Sequence, residues 1–265
     1  MSELLVKPSG ETGKVIDITP ESAGWRYVGF ALHRLSAAQG VSAVTGDREV
    51  CLVFVSGTGT VTAGGQNLGP LGGRESPFDG KPAAVYVPGN CNWSVMAETD
   101  LELAVCSAPA LTGRAVRVIA PEAMSQEVRG KGTNTRYVTN ILPETDGVAD
   151  SLLVVEVITP GGHTSSYPPH KHDRDALPDE SYLEETYYHR LNPHQGFAFQ
   201  RVYTEDRTLD ETLLIEDGVT TLVPKGYHPC AAIHGYDLYY LNVMAGPRRV
   251  WRFHNQPEHE WLLGG

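Results

Sequence analysis

The sequence is poor in cysteine, in basic residues and in long apolar runs, and each shortage excludes a class of protein. Its four cysteines, none in a C-x-x-C pair, form neither a disulfide scaffold nor a thiolate metal site. With 21 basic against 32 acidic side chains, the net charge of −11 disfavours non-specific binding to nucleic acid or to an anionic membrane. No apolar run approaches the roughly 20 residues of a membrane-spanning helix, and the start lacks the layout of a secretory signal. We therefore expect a cytoplasmic protein that binds neither nucleic acid nor membranes.

Patterns typical of amphipathic helices are also nearly absent. Instead, 28 glycines and 18 prolines separate short runs of β-branched and aromatic residues. Runs of this length, bounded by turn-forming residues, are typical of strands. They occur at residues 50–55, 84–87, 101–105, 152–157 and 238–243. Many short strands at regular spacing predict an all-β sandwich or barrel rather than an α/β sheet.

A weak internal repeat predicts two similar domains. In the first half, Glu49 leads an apolar strand, and Pro88-Gly89 follows a few dozen residues later. In the second half, Glu185 leads a strand and Pro224 follows in the same way. We place the boundary in the polar, turn-rich stretch of residues 129–135, which gives domains of residues 1–130 and 131–265.

Three histidines and a glutamate in the second half form the pattern of a metal site. His170 and His172 are two positions apart, so in a strand both imidazoles point to the same side. Further along, a strand, a rigid Pro224 corner and His228 follow one another. Imidazole and carboxylate together leave open positions on a catalytic metal. We therefore predict that His170, His172, His228 and a glutamate hold one divalent ion.

The glutamate is either Glu184 or Glu185, which face opposite sides of their strand. Glu185 is preferred because it leads directly into an aromatic alternation that places Tyr187 and His189 on the same inward face. The glutamate follows His172 by 13 positions, so the sequence also predicts an inserted loop over residues 174–182.

These motifs resemble the two sequence motifs of the cupin family, although His228 follows Gly226 by two positions instead of three. The resemblance implies an all-β chain of two jelly-roll barrels, a bicupin. The first barrel has no His-x-His before Glu49, and Trp93 stands where a metal histidine would follow Pro88-Gly89. We expect the N-terminal cupin to have lost its metal ligands and the C-terminal cupin to carry the site.

The second half of the sequence resembles a more specific family, the 5-deoxy-glucuronate isomerases of myo-inositol catabolism. The resemblance covers most of the chain and is densest over residues 152–253; it rests on the segments 165–173, 183–190, 195–203 and 239–247. It implies a metal-dependent aldose–ketose isomerase that converts 5-deoxy-D-glucuronate to 2-deoxy-5-keto-D-gluconate. Zn or Mn is the expected ion, although Fe, Co and Ni suit the same ligands. The substrate is a small sugar acid, and the exposed edge strands common in bicupins leave a homo-oligomer open.

For this reaction, Tyr187 and His189 are the candidate catalytic residues, with Glu184 as the fallback base. Arg190 and Arg201 are the candidates for a bidentate grip on the substrate carboxylate. Three alternatives remain open: a 4-deoxy-5-ketouronate isomerase of pectin degradation, an Fe(II) cupin dioxygenase with the same ligands, and a non-catalytic bicupin. The longer loop between His172 and Glu185 favours the inositol branch.

Overall fold

The computed structural model of the protein describes residues 2–111 and 113–263, and strands dominate it. The strands up to the middle of the chain are β1 Leu5–Val6, β2 Gly13–Ile18, β3 Gly29–Leu35, β4 Gly40–Val44, β5 Arg48–Ser56, β6 Thr58–Ala63, β7 Gln66–Gly72, β8 Ala84–Val87, β9 Asn92–Ala97, β10 Leu101–Pro109, β11 Arg117–Ile119 and β12 Ser125–Arg129. The remaining strands are β13 Arg136–Leu142, β14 Leu153–Thr159, β15 Thr164–Ser165, β16 His170–Lys171, β17 Asp173–Ala176, β18 Glu180–Tyr182, β19 Glu184–Asn192, β20 Ala198–Tyr203, β21 Asp210–Ile215, β22 Thr220–Val223, β23 Cys230–Ala232, β24 Asp237–Ala245 and β25 His254–Asn255.

Helical structure is confined to four short segments in the described residues. These are the α-helix α1 Pro20–Ala23 and the 3₁₀ helices Pro121–Ala123, Gly132–Asn134 and Pro257–Leu263. Within the same residues, no helix has the length and apolar character needed to cross a membrane. The prediction of an all-β chain is therefore confirmed.

The described chain divides into two compact units. The N-terminal unit comprises residues 8–125 and 139–155, and the C-terminal unit comprises residues 2–7, 126–138 and 156–263. The chain passes from one unit to the other inside or beside β12, β13 and β14. The division into domains 1–130 and 131–265 stays a prediction.

The N-terminal unit consists of two antiparallel sheets around an apolar core. One sheet has the strand order β11-β8-β5-β10-β3-β2 and the other the order β4-β9-β6-β7. The core takes alternate residues of both sheets, as a two-layer packing requires. Its members include Leu52, Phe54, Val61, Trp93 and Leu103. Trp93 therefore packs in this core at the place where the sequence predicted a lost metal histidine.

The C-terminal unit is also built from two main sheets. The larger belongs to the sheet of order β1-β22-β19-β24-β14-β13-β12, of which this unit contains β14 from residue 156 onward and β13 up to residue 138. The smaller has the order β15-β23-β20-β21. Two short ribbons, β16-β25 and β17-β18, complete it. In neither unit do the described strands close into a continuous hydrogen-bonded barrel, so each unit is an open jelly roll of the cupin type.

The central strands of the two units correspond, and their registers correct the sequence-based pairing of Glu49 with Glu185. β5 lies between β8 and β10 as β19 lies between β22 and β24. Val50 pairs with the residue before Pro88, and Glu185 pairs with the residue before Pro224. Val50 is thus the structural counterpart of Glu185, one residue beyond Glu49. Because successive side chains alternate, Glu49 faces the other side of the sheet.

Glu49 has a separate structural role in the N-terminal unit. It is fully buried, and its carboxylate accepts hydrogen bonds from the backbone N–H groups of Asp150, Ser151 and Leu152 at 2.8, 2.7 and 2.7 Å. The Tyr86 hydroxyl donates a fourth hydrogen bond at 2.7 Å. The buried charge is therefore fully solvated by protein donors and fixes the segment before β14.

The four cysteines are free thiols, and three of them are buried. Burial raises the pKa of Cys106 and, together with neighbouring groups, that of Cys51. Neutral, buried thiols are inert, so Cys51 and Cys106 serve as small apolar side chains in the N-terminal unit.

Candidate metal centre

The predicted metal ligands lie on three separate elements of the C-terminal unit. Glu185 is on β19, the strand between β22 and β24; His170 is on β16, and His172 directly precedes β17. His228 follows the turn after β22. That turn requires Gly226, whose φ is +87° and where an added Cβ would lie 2.4 Å from the Tyr203 carbonyl oxygen. The glycine lets the chain pass against the end of β20 and return His228 toward β19.

Three of the four side chains converge on one point. The ligand atoms of His172, Glu185 and His228 all lie within 4.8 Å of one another, and all three residues are buried. Nε2 of His172 lies 3.0 Å from Oε2 of Glu185, and Nε2 of His228 lies 3.3 Å from the same oxygen. Glu184, on the opposite face of β19, is not a member of this group.

The hydrogen bonds around the group fix which nitrogens carry protons. Nδ1 of His172 lies 3.1 Å from the Leu183 carbonyl oxygen, and Nδ1 of His228 lies 2.9 Å from the Gly226 carbonyl oxygen. Each Nδ1–H therefore donates to the backbone, so the Nε2 atom of each ring faces Glu185. Nε2 of His172 is hydrogen-bonded to that carboxylate, whereas Nε2 of His228 presents a lone pair and makes no hydrogen bond. On the far side of that carboxylate, Oε1 accepts a hydrogen bond from Asn242 Nδ2 at 2.6 Å.

This arrangement leaves a mismatch that a cation would remove. Burial lowers the pKa of His228 to about 4, so its Nε2 carries no proton at neutral pH, and that fully buried atom makes no hydrogen bond. Burial also acts to lower the pKa of His172, but the hydrogen bond and charge of Glu185 outweigh it and raise that pKa. Once Nε2 of His172 gives up its proton, as metal binding requires, the two Nε2 atoms and the carboxylate match the donor set of Zn²⁺, Mn²⁺ and similar ions. The residues present therefore fit a divalent metal.

His170 lies at the edge of this group. Its ring centroid is 5.0 Å from that of His228 and 6.3 Å from that of His172. Phe253 packs against its other side at 4.6 Å. Burial, followed by the charges of His228 and His172, lowers the pKa of His170 well below its usual value. A neutral imidazole is thus available as a fourth donor.

The insertion between His172 and Glu185 is a hairpin rather than an irregular loop. β17 and β18 pair within it, and the buried Lys171 holds its base. Lys171 Nζ lies 2.8 Å from Asp173 Oδ1 and 3.0 Å from each carboxylate oxygen of Glu180. The second oxygen of Asp173 accepts a hydrogen bond from the Gly226 N–H at 2.8 Å. One buried ion network therefore connects the His-x-His segment, the hairpin and the turn that carries His228.

The two predicted catalytic residues lie on the same face of β19 as Glu185. The Tyr187 ring is 5.7 Å from that of His228, and its hydroxyl is 3.1 Å from Ser166 Oγ. Burial, followed by the charge of Glu185, raises the pKa of Tyr187 well above its usual value. His189 stacks on Tyr187 at 5.9 Å, and burial lowers its pKa to about 3. Its Nε2 lies 3.2 Å from Gln200 Oε1, so His189 is a neutral group directed into the unit's interior.

The two arginines predicted to bind substrate are not brought to this group. Arg190 lies on the opposite face of β19 from Glu185 and donates from Nε to Asp217 at 2.9 Å. Arg201 forms a two-bond pair with Asp210, at 2.8 and 2.7 Å, on the exposed side of β20. Each guanidinium is therefore committed to a carboxylate of the protein, and the predicted role of both in substrate binding stays a prediction.

Near His172, Glu185 and His228 the structure places other residues, which the sequence did not predict to be part of the site. A small cavity beside the cluster is lined by Arg129, Arg136, Ser166, His170, Glu185, Tyr187, Tyr240 and Asn242, among others. A second cavity, of about 910 Å³, shares Arg129, Arg136 and His170 with it and extends to the 3₁₀ helix Pro257–Leu263. Strand alternation within residues 238–243 was a usable signal for Tyr240 and Asn242. Arg129 fell in the stretch of residues 129–135 interpreted as a domain boundary and Arg136 directly followed it, and no local pattern marked either.

Comparisons with known proteins find relatives over nearly the whole chain. The family model described as KduI/IolB matches residues 4–262. A protein of Geobacillus kaustophilus named 5-deoxy-glucuronate isomerase is 51% identical over 99% of this chain and 96% of its own length. A protein of Listeria innocua with the same name is 48% identical over 99% of both chains.

Solved structures extend the comparison. The crystal structure of an IolB-like protein from Salmonella typhimurium has a TM-score of 0.97 and 50% identity, and the match covers 99% of this chain and 100% of that one. An oxalate decarboxylase of Lactobacillus farciminis has a TM-score of 0.66 at 12% identity, covering 100% of this chain and 91% of that one, and shares the fold alone. With its length matched by the family model and its relatives near half identical, this chain belongs to the KduI/IolB family.

Proposed function

We propose that the protein is a metal-dependent aldose–ketose isomerase that converts 5-deoxy-D-glucuronate to 2-deoxy-5-keto-D-gluconate. The observation that carries the proposal is the near full-length identity of about half to relatives named 5-deoxy-glucuronate isomerase. The convergence of His172, Glu185 and His228 supports the metal dependence. A cytoplasmic location and assembly into a homo-oligomer stay predictions from the sequence.

His170, His172, Glu185 and His228 would hold the ion, with Zn or Mn as the expected metal. Bound there, a divalent ion supplies Lewis-acid polarisation of the substrate carbonyl and its neighbouring hydroxyl. The protein's part is to keep the ligands in place. The backbone acceptors of the two Nδ1–H groups orient His172 and His228, and Asn242 orients Glu185.

Tyr187 is proposed to act on the substrate through its hydroxyl. Because its pKa is raised, the group is protonated at neutral pH and donates a hydrogen bond to a substrate oxygen. Ser166 Oγ, 3.1 Å away, can donate a hydrogen bond to the phenol oxygen and so direct the Tyr187 proton toward the substrate, and it also hydrogen-bonds Tyr240. The stacked ring of His189, held by Gln200, keeps the Tyr187 ring in position. His189 is therefore proposed as a positioning residue.

The test is turnover of 5-deoxy-D-glucuronate followed by NMR, with metal analysis of the same protein. We expect about one divalent ion per chain and formation of the ketose without oxygen or nicotinamide. A requirement for oxygen would support the dioxygenase alternative and contradict the proposal. His170→Ala is expected to lose metal and turnover. His194→Ala, which removes an exposed imidazole, is the matched control and should retain both.

A further inference from the structure

A half-buried guanidinium lies beside the proposed metal site without a carboxylate partner. Arg136 begins β13, and its Nη1 donates to the backbone oxygen of Asn134 at 3.0 Å and to that residue's side-chain oxygen at 3.1 Å. Both acceptors are neutral. Among residues 2–111 and 113–263, no Asp or Glu forms an ion pair with Arg136. A partly buried charge without a counter-ion is costly, and this one therefore indicates an anion supplied from outside.

The loop before Arg136 is shaped around its guanidinium. Gly130 has a φ of +73°, and a Cβ there would lie 2.7 Å from Arg136 Nη1 and 2.1 Å from the Asn134 carbonyl oxygen. Only glycine fits this approach without displacing the arginine. Asn134, the last residue of the 3₁₀ helix Gly132–Asn134, then supplies both neutral acceptors, one from its backbone and one from its side chain. Arg136 is thus held in one orientation rather than free to fold onto the surface.

The cavities around Arg136 link it to the proposed metal ligands. The smaller one is lined by Arg136 together with His170, Glu185 and Tyr187. The larger one, of about 910 Å³, adds Lys131 and has no Asp or Glu among its described lining residues. Arg129 also lines both cavities, but it is paired with Glu127 at 3.0 Å. Arg136 and His170 line both of these adjoining cavities, so a cationic group and a proposed metal ligand face the same region of a chain whose net charge is −11, which matches a sugar acid.

We infer that Arg136 binds the carboxylate of the substrate and so selects sugar acids over neutral aldoses. The inference rests on the proposed function, and it places the carboxylate at Arg136 and the carbonyl end at the histidine cluster. The planar guanidinium can grip a carboxylate through two hydrogen bonds, which neither Arg190 nor Arg201 can do while paired with its aspartate.

The first experiment compares two substrates that differ only at the far end. They are 5-deoxy-D-glucuronate and 5-deoxy-D-glucose, which carries a hydroxymethyl group in place of the carboxylate. We expect Arg136→Gln to lower kcat/KM for the acid about 10²-fold or more and for the neutral sugar less than about 3-fold, since only the acid loses a charge-assisted contact. Arg136→Lys should fall between. Arg174→Gln, which removes an exposed arginine paired with Glu205, is the control and should change neither.

The second experiment measures binding alone, without turnover. Metal-free protein is titrated with D-gluconate and with its neutral counterpart D-glucitol, with binding followed by NMR. Wild type should prefer gluconate at least about 10-fold, and Arg136→Gln should bind both equally. This result would stand even if the wild-type enzyme turned over neither substrate, an outcome that would contradict the proposed function alone.

Equal losses on the acid and the neutral sugar, with unchanged discrimination in the titration, would overturn the inference and make Arg136 structural. Loss of discrimination in Arg190→Gln or Arg201→Gln, with Arg136→Gln unchanged, would overturn it in favour of the sequence-based assignment. Circular dichroism of each variant checks folding, and Arg136→Lys keeps the test decisive if Arg136→Gln does not fold.

Discussion

Replacing Glu185 by glutamine tests the metal site through an effect of opposite sign with and without metal. In the metal-free protein, Oε2 of Glu185 faces two imidazole nitrogens, and one of them, Nε2 of His228, makes no hydrogen bond. In Glu185→Gln, Oε1 must still accept from Asn242, so the amide NH₂ faces the histidines at the 3.0 and 3.3 Å positions. The unpaired Nε2 of His228 then receives a donor, and the neutral form of His172 accepts the other amide hydrogen.

The expected change in the free energy of unfolding has two parts. His228 Nε2 gains a hydrogen bond that it lacks in wild type, and the charge-assisted contact between His172 and Glu185 becomes a neutral hydrogen bond. We expect the metal-free variant to be more stable than metal-free wild type by about 1–2 kcal/mol, or a rise in Tm of about 2–8 °C. Added metal should reverse the order. Wild type gains about 2.7 kcal/mol at a metal concentration 100 times its Kd, whereas a variant without the anionic ligand gains almost nothing.

The assay is thermal unfolding of both proteins in chelator and in excess Zn²⁺ or Mn²⁺, with metal content measured in parallel. Glu184→Gln is the matched control, because it makes the same chemical change on the opposite face of β19 and should leave metal content unchanged. A metal-free Glu185→Gln protein less stable than metal-free wild type would refute the assignment of protons to the two histidines. Metal lost from Glu184→Gln and kept by Glu185→Gln would refute the choice of glutamate.

The remaining predictions concern groups described above. Glu49→Gln turns an amide NH₂ toward backbone N–H donors, so we expect the free energy of unfolding to fall by about 3 kcal/mol. Chemical denaturation measures this change, and an unchanged denaturation midpoint would mean that the carboxylate is dispensable. Lys171→Met leaves the buried Glu180 without its cation, although the backbone N–H groups of Asp173 and Arg174 still donate to it. We therefore expect the free energy of unfolding to fall by about 3–5 kcal/mol and metal binding to weaken, with the double change Lys171→Met/Glu180→Gln recovering part of the stability. Tyr187→Phe should lower kcat about 10²-fold at full metal content, and equal kcat would exclude a role for the hydroxyl. His189 contributes stability that is present above its unfolded pKa of 6.5 and is lost as the pH falls toward its folded pKa of about 3. Between these two values the unfolding free energy of wild type should therefore fall with decreasing pH, and His189→Gln should remove up to about 1.4 kcal/mol per pH unit of that dependence.

The sequence was sufficient to predict features that depend on local pattern. The apolar runs became strands, and the Gly218-to-His228 motif became β22, a turn and the buried imidazole of His228, because proline and glycine fix the backbone there. The alternation along β19 also placed Glu185 and Tyr187 on one face. The displaced glutamate correctly indicated an insertion after His172.

Features that depend on partners distant in the chain were not predictable in this way. Side-chain alternation gives a face but no partner, so Arg190 and Arg201 could not be recognised as paired with Asp217 and Asp210. Arg136 reaches the site only because residues 126–138 belong to the C-terminal unit, a long-range placement that no local pattern encodes. The one-residue difference between Glu49 and Val50 needed the strand register.

The ion network at Lys171 has a consequence for how members of this fold can diverge. In the usual cupin motif a few residues of covalent chain hold the glutamate near the histidines, whereas here 13 positions separate His172 from Glu185. The Lys171 ammonium and the carboxylates of Asp173 and Glu180 hold the two strands of the hairpin together at its base. A change in residues 177–179 at the tip therefore need not move the proposed metal ligands. The tip can therefore change in length and composition while the ligand spacing is preserved, which makes it a place where new surface properties can evolve at no cost to the metal site.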